Sequence, residues 1–183
     1  MTRLLCSALA ALALAACASL DTISEGEDAN LMLRGADPVG YFTVGLAMPG
    51  KREFRAEHGG VTYRFANETN RRLFITRPDR YVPQFGGFCA NGMAYALPIP
   101  GDTGSFKIID GRLYLFSSRS AKQFFEMDQE RNLRLARHYW ESEAKDSSWR
   151  LQSWKRMLFR VPHYKSNREL AEEYQRRFGR APG

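Results

Sequence analysis

Residues 53–65 read EFRAEHGGVTYRF, and this stretch decides the fold. Phe54 and Ala56 alternate with polar neighbours on one arm, and Val61, Tyr63 and Phe65 alternate on the other. A period of two places successive side chains on opposite faces of a strand. Between the arms, His58-Gly59-Gly60 supplies the turn, because glycine reaches positive φ without a steric penalty. The segment is a β-hairpin. Just beyond it, Asn67 is placed to cap a helix over 68–76, with Leu73 and Phe74 turned inward, and Pro78 blocks continuation at Arg77. Residues 81–96, YVPQFGGFCANGMAYA, read as an irregular strand, since Gly86, Gly87 and Gly92 bracket Phe88 and Cys89. Residues 105–116, SFKIIDGRLYLF, form a second hairpin with Asp110-Gly111 as its type I′ turn.

Helices follow. Ser120 and Gln123 form a capping box that opens a long helix to about residue 144, with Phe125, Leu133, Ala136 and Trp140 at helical spacing. Residues 147–160 form another, with Leu151, Trp154 and Leu158 on one face and Arg150, Lys155 and Arg156 around it. Ser166 and Glu169 box the last helix, which carries Leu170, Tyr174 and Phe178 and stops at Gly179. The class is α+β: a small antiparallel sheet of two hairpins with a short helix, followed by C-terminal helices. The body spans 35–144, and 145–183 is a basic helical extension.

The chain of 183 residues suits one domain with extensions, and its 44% hydrophobic content is enough for a core. A net charge of +7 favours anionic partners without naming one. Three cysteines cannot build a disulfide framework. Residues 1–16, MTRLLCSALAALALAA, hold one early positive charge and an apolar run too short to span a bilayer, so they read as a secretory signal. The run ends in Leu14-Ala15-Ala16-Cys17, which resembles a bacterial lipobox. That resemblance implies cleavage before Cys17 and lipid on its sulfur, which anchors the chain. Ala18 in place of an aspartate favours the outer membrane, with the domain in the periplasm. Residues 17–34 then read as a polar, lipid-anchored tether. Export makes nucleic acid an improbable partner. Cys6 leaves with the signal and Cys17 is consumed by lipid, so Cys89 is the free thiol of the mature chain.

Six short motifs follow in order: Asp37-Pro38-Val39, the hairpin from Phe54 to Phe65, Leu73-Phe74, Pro78-Asp79-x-Tyr81, Pro83 to Gly92, and Ile109-Asp110-Gly111-x-Leu113-Tyr114-Leu115. Together they resemble the YHS domain family, in its standalone periplasmic form. The resemblance covers about residues 35–140 and implies a module associated with metal binding. In metal-associated members, cysteines fall at the positions of Gly40, Ala66 and Asn70 here, so a multi-cysteine zinc site does not carry over.

Cys89 remains. With Met93 and His58 it makes a soft donor set suited to copper as Cu(I), or it marks a small-ligand site. The plainer reading is a small buried residue among glycines, with Met93 as core filler. A thiol enzyme pairing Cys89 with His58 is the weaker alternative, and neither residue lies in a hydrolase-type motif. Asp37, ahead of Pro38, reads as a turn residue. Tyr41, Phe42, Tyr81, Phe85, Phe88 and Tyr114 line either a core or a pocket, and His138 and His163 read as surface. From Arg150 to Arg180 there are nine Lys/Arg against three acids, with Trp149, Trp154 and Phe159 interleaved. That composition resembles an interfacial helix near anionic lipid, or a docking face for a protein partner, over residues 147–183.

Overall fold

The computed structural model describes residues 20–183. The expected signal at 1–16 and the lipid site at Cys17 lie outside the described residues. The class is α+β, with small antiparallel sheets and C-terminal helices.

Strands β1 (Thr22–Glu25) and β2 (Asp28–Met32) form a hairpin at the start of the described chain. Most of the segment expected as a tether is therefore part of the body. The physical reason is Leu31-Met32-Leu33, three apolar residues that are all buried. After β3 (Ala36–Asp37), α1 (Gly40–Thr43) and β4 (Met48–Pro49) comes the deciding hairpin, β5 (Lys51–His58) with β6 (Val61–Phe65). Its register pairs His58 with Val61 and Ala56 with Tyr63. Gly59 and Gly60 both hold positive φ, 59° and 74°, as the two-residue turn requires. The sheet order is β1-β2-β6-β5, and β2 meets β6 in parallel at Leu31 and Thr62.

Strand β6 shows why every residue of VTYRF is buried. Val61, Tyr63 and Phe65 enter the sheet core, while Arg64 turns to the other face. There its guanidinium donates to the buried Asp28 carboxylate at 2.8 Å and to Glu25 at 2.8 Å, clamping the first hairpin onto the second.

Helix α2 (Glu68–Thr76) is capped by Asn67 as expected. Phe74 is buried in the sheet core, but Leu73 is 42% exposed, a correction to its inward placement. Helix α3 (Pro78–Tyr81) begins at the proline that ends α2. Residues 81–96 do not form a strand. A 3₁₀ turn at Gln84–Gly87 leads through isolated bridges into α4 (Ala90–Met93). Positive φ at Phe85, Gly86 and Gly87 is incompatible with a continuous ladder.

The second hairpin, β7 (Asp102–Ile109) with β8 (Arg112–Phe116), turns at Asp110-Gly111, both with positive φ. It stands as its own two-stranded sheet, so the two hairpins do not share one sheet as expected. Alternation in β8 explains why. Leu113 and Leu115 face the sheet core, and Tyr114 and Phe116 face a second, helical core. The strand is the wall between the two, and a wall packed on both sides reads as a continuous apolar run.

The long helix expected over 120–144 is broken. Ser118, not Ser120, caps α5 (Arg119–Glu126), and Asp128 caps α6 (Gln129–Tyr139), which passes into a π turn at Trp140–Ala144. The break turns α6 back onto the core, and Asn132 seals it by donating to the Phe125 carbonyl at 3.0 Å. Helices α7 (Trp149–Leu158) and α8 (Asn167–Phe178) complete the chain. Ser166 and Glu169 form the full capping box of α8, and Gly179 ends it in the left-handed region.

Candidate functional site

The Asp-Pro-Val triplet builds a densely bonded point of the structure. Asp37 is fully buried. Its Oδ1 accepts from the backbone N–H groups of Val39 (2.8 Å) and Gly40 (3.4 Å). Its Oδ2 accepts from the Ala66 N–H (2.9 Å) and the Asn70 side-chain amide (2.6 Å). Gly40, Ala66 and Asn70 thus converge on one carboxylate, which ties α1, β6 and α2 together. They are the same three positions that the family resemblance assigns to cysteines in metal-associated members. Here hydrogen bonds fill that centre. The turn role expected for Asp37 is part of a larger one, a buried hub for three elements.

Cys89 is 1% exposed and belongs to the helical core. Its Sγ accepts the Gly92 N–H at 3.4 Å, so the thiol caps α4. Met93, one helical turn on, is fully buried in the same cluster. His58 is elsewhere. Its ring packs edge-on against Phe74 of the sheet core, and its Nε2 lies 3.5 Å from Asp79. Cys89 and Met93 are therefore neighbours in one core, while His58 rests, partly exposed, against the other. Among the described residues no group of three His, Cys, Asp or Glu side chains is placed to hold a metal ion. A cavity of about 430 Å³ lies beside Cys89, lined also by Asn91, Ser118, Ser120 and Asn167.

The remaining expectations sort by packing. Tyr41, Tyr81, Phe85, Phe88 and Tyr114 are buried core residues, and Phe42 packs half-buried against Tyr81. His138 is at the surface, but His163 is not free there. Its Nε2 bonds the Ala94 carbonyl at 2.9 Å, and its ring stacks on Tyr95 and Tyr139.

Helix α7 carries the second constellation, and its orientation is inverted. Its inward residues are polar. Gln152 is buried and donates to the Ala96 carbonyl (3.1 Å) and to Glu143 (3.1 Å). Arg156, one turn on, pairs with Glu143 and lies over the Tyr139 ring. Lys155 joins the same carboxylate at 2.7 Å. Burial opposes the Glu143 charge, but hydrogen bonds from Lys155, Gln152 and Arg156 outweigh it and hold its pKa down to about 2. The outward residues are apolar: Leu151 is 69% exposed, Trp154 62% and Leu158 65%. Met157 and Phe159 flank them, also exposed. Half of the large apolar side chains exposed among the described residues fall between Trp149 and Phe159. An exposed apolar patch of this kind marks a contact surface more often than chance does. The composition of this helix was legible in the sequence. The roles of Glu143 and Gln152 were not, although the four-residue spacing of Gln152 and Arg156 places them on one face.

No helix among the described residues is long and apolar enough to cross a membrane. No family model, curated protein or solved structure matches the chain.

Proposed function

We propose that this chain is a non-enzymatic interaction module of the bacterial envelope, a YHS-like domain held at the outer membrane by lipid on Cys17. The convergence of Gly40, Ala66 and Asn70 on Asp37 supports the YHS-like reading. The observation that carries the function is the inverted α7: its polar side is bonded to the body, and its apolar side has no cover among the described residues. A photo-crosslinking amino acid at Trp154 in living cells tests it. The module yields adducts from position 154 and not from Arg72, on the exposed side of α2. Equal yields, or none at 154, contradict it.

A small-ligand role at Cys89 is the second reading. The cavity beside the thiol and the adjacent buried Met93 support it. Its soft donors fit copper. It predicts Cu(I) binding that Cys89→Ser abolishes, and binding unchanged by that substitution rejects it. The pairing of Cys89 with His58 that a thiol enzyme needs is not assembled.

A further inference from the structure

We infer that the surface covering α7 is an anionic phospholipid bilayer, with Leu151, Trp154 and Leu158 dipping into the headgroup boundary while the helix lies parallel to the membrane. The inference rests on the interaction reading above and names the partner.

Charge supports this occupant. From Ser147 to Arg168 the chain holds no Asp or Glu, and it holds six Lys or Arg. Arg150 has no ion-pair partner among the described residues and lies 5.3 Å from the Trp149 ring centroid, beside the apolar ridge. Arg160, just past the helix, lies 4.3 Å from the Tyr164 ring centroid. Lys155 is half-exposed on the other flank. Cations around a ridge that carries tryptophan form the pattern of an interfacial helix, with aromatic rings at headgroup level and ammonium or guanidinium groups against phosphate.

A second copy of the chain fits less well. Ten residues of helix are about 15 Å long and ~10 Å across, so one face offers only a few hundred Å², against ~800 Å² per partner in a stable interface. A two-fold contact across α7 would also set Arg150, Lys155 and Arg160 near their own copies. A bilayer imposes neither limit, because each chain contributes a small increment to an attachment that lipid at Cys17 makes local.

The orientation is built in. The ridge faces outward because Glu143 holds Arg156 and Gln152 on the inner side and also pairs with Lys155 on the flank. A helix with its apolar face inward would have left the partly buried Glu143 without these partners.

Sedimentation with vesicles tests the inference. The probe is the chain from Ala18 onward, which keeps every described residue and removes the leader and Cys17 as rival sources of binding. It should bind vesicles of phosphatidylglycerol and phosphatidylcholine, and bind pure phosphatidylcholine at least about tenfold more weakly. Added salt should weaken binding to the anionic vesicles. Trp154→Glu or Leu158→Glu, both at exposed positions, should abolish binding without lowering the melting temperature. Arg150→Gln should weaken it about fivefold, and Arg72→Gln should not. No binding by the parent chain, or binding that Trp154→Glu leaves intact, overturns the inference. Self-association abolished by Trp154→Glu, or crosslinks to protein alone with no vesicle binding, overturns the lipid assignment and leaves the interaction reading standing.

Discussion

Asp37→Asn changes one atom's chemistry at the centre of the fold and keeps its shape. The carboxylate accepts four hydrogen bonds, two at each oxygen. An amide offers one oxygen and one NH₂, and the NH₂ must face two donors whichever way it turns. Facing inward along Oδ1, it confronts the N–H groups of Val39 and Gly40; along Oδ2, those of Ala66 and Asn70. Either way two bonds are lost in a site with no solvent access. At roughly 1–2 kcal/mol for each buried group left unsatisfied, the substitution costs about 3 kcal/mol. For a body of this size that is a fall in melting temperature of roughly 10 °C. Thermal unfolding followed by circular dichroism measures it. Because Asn70 is one of the donors, Asn70→Ala combined with Asp37→Asn should cost less than the two changes added separately. A variant that melts within ~2 °C of the parent would refute the idea that this carboxylate organises α1, β6 and α2.

Other contacts carry further expected outcomes. Arg64→Met leaves Asp28 buried without its principal partner and should destabilise the fold by about 3 kcal/mol, read in denaturant titrations. Glu143→Gln should loosen α7, seen as faster amide exchange over 149–158, at a cost of about 1–2 kcal/mol. Because the Glu143 pKa is depressed from 4.5 to about 2, its contribution is complete above pH 4.5 and drains away as pH falls through 2; the difference between parent and Glu143→Gln should shrink over that window. The Cys89 thiol should stay inert to alkylation in the native protein and react fully in denaturant, a result that counts against the copper reading; rapid native labelling would contradict its buried placement.

Much of the fold was legible because local chemistry and tertiary packing agree there. His58-Gly59-Gly60 and Asp110-Gly111 close hairpins at the expected residues, and Asn67, Ser166 and Gly179 bound helices where their side chains or φ values demand. Legibility failed where a residue's role is set by a distant partner. The strand pair at 22–32 looks polar because Asp28 and Glu25 are there to meet Arg64, more than thirty residues away. The break between α5 and α6 is invisible to helical periodicity, since Phe125 and Leu133 stay in phase with one core on both sides of it. At the candidate site, Cys89 and Met93 are neighbours because a helical turn, not the expected strand, joins them, and His58 sits at a hairpin tip whose location depends on the whole sheet. The apolar face of α7 was visible in composition. Which face turns outward depends on Glu143, which lies outside the helix it orients.

Depth-dependent quenching tests the central claim most directly. With Trp140 and Trp149 replaced by phenylalanine, Trp154 reports alone. On anionic vesicles carrying brominated acyl chains, its emission should shift to the blue and be quenched most by bromines near the headgroup boundary. Emission that stays red and unquenched, with the protein folded and lipid in excess, would contradict the account.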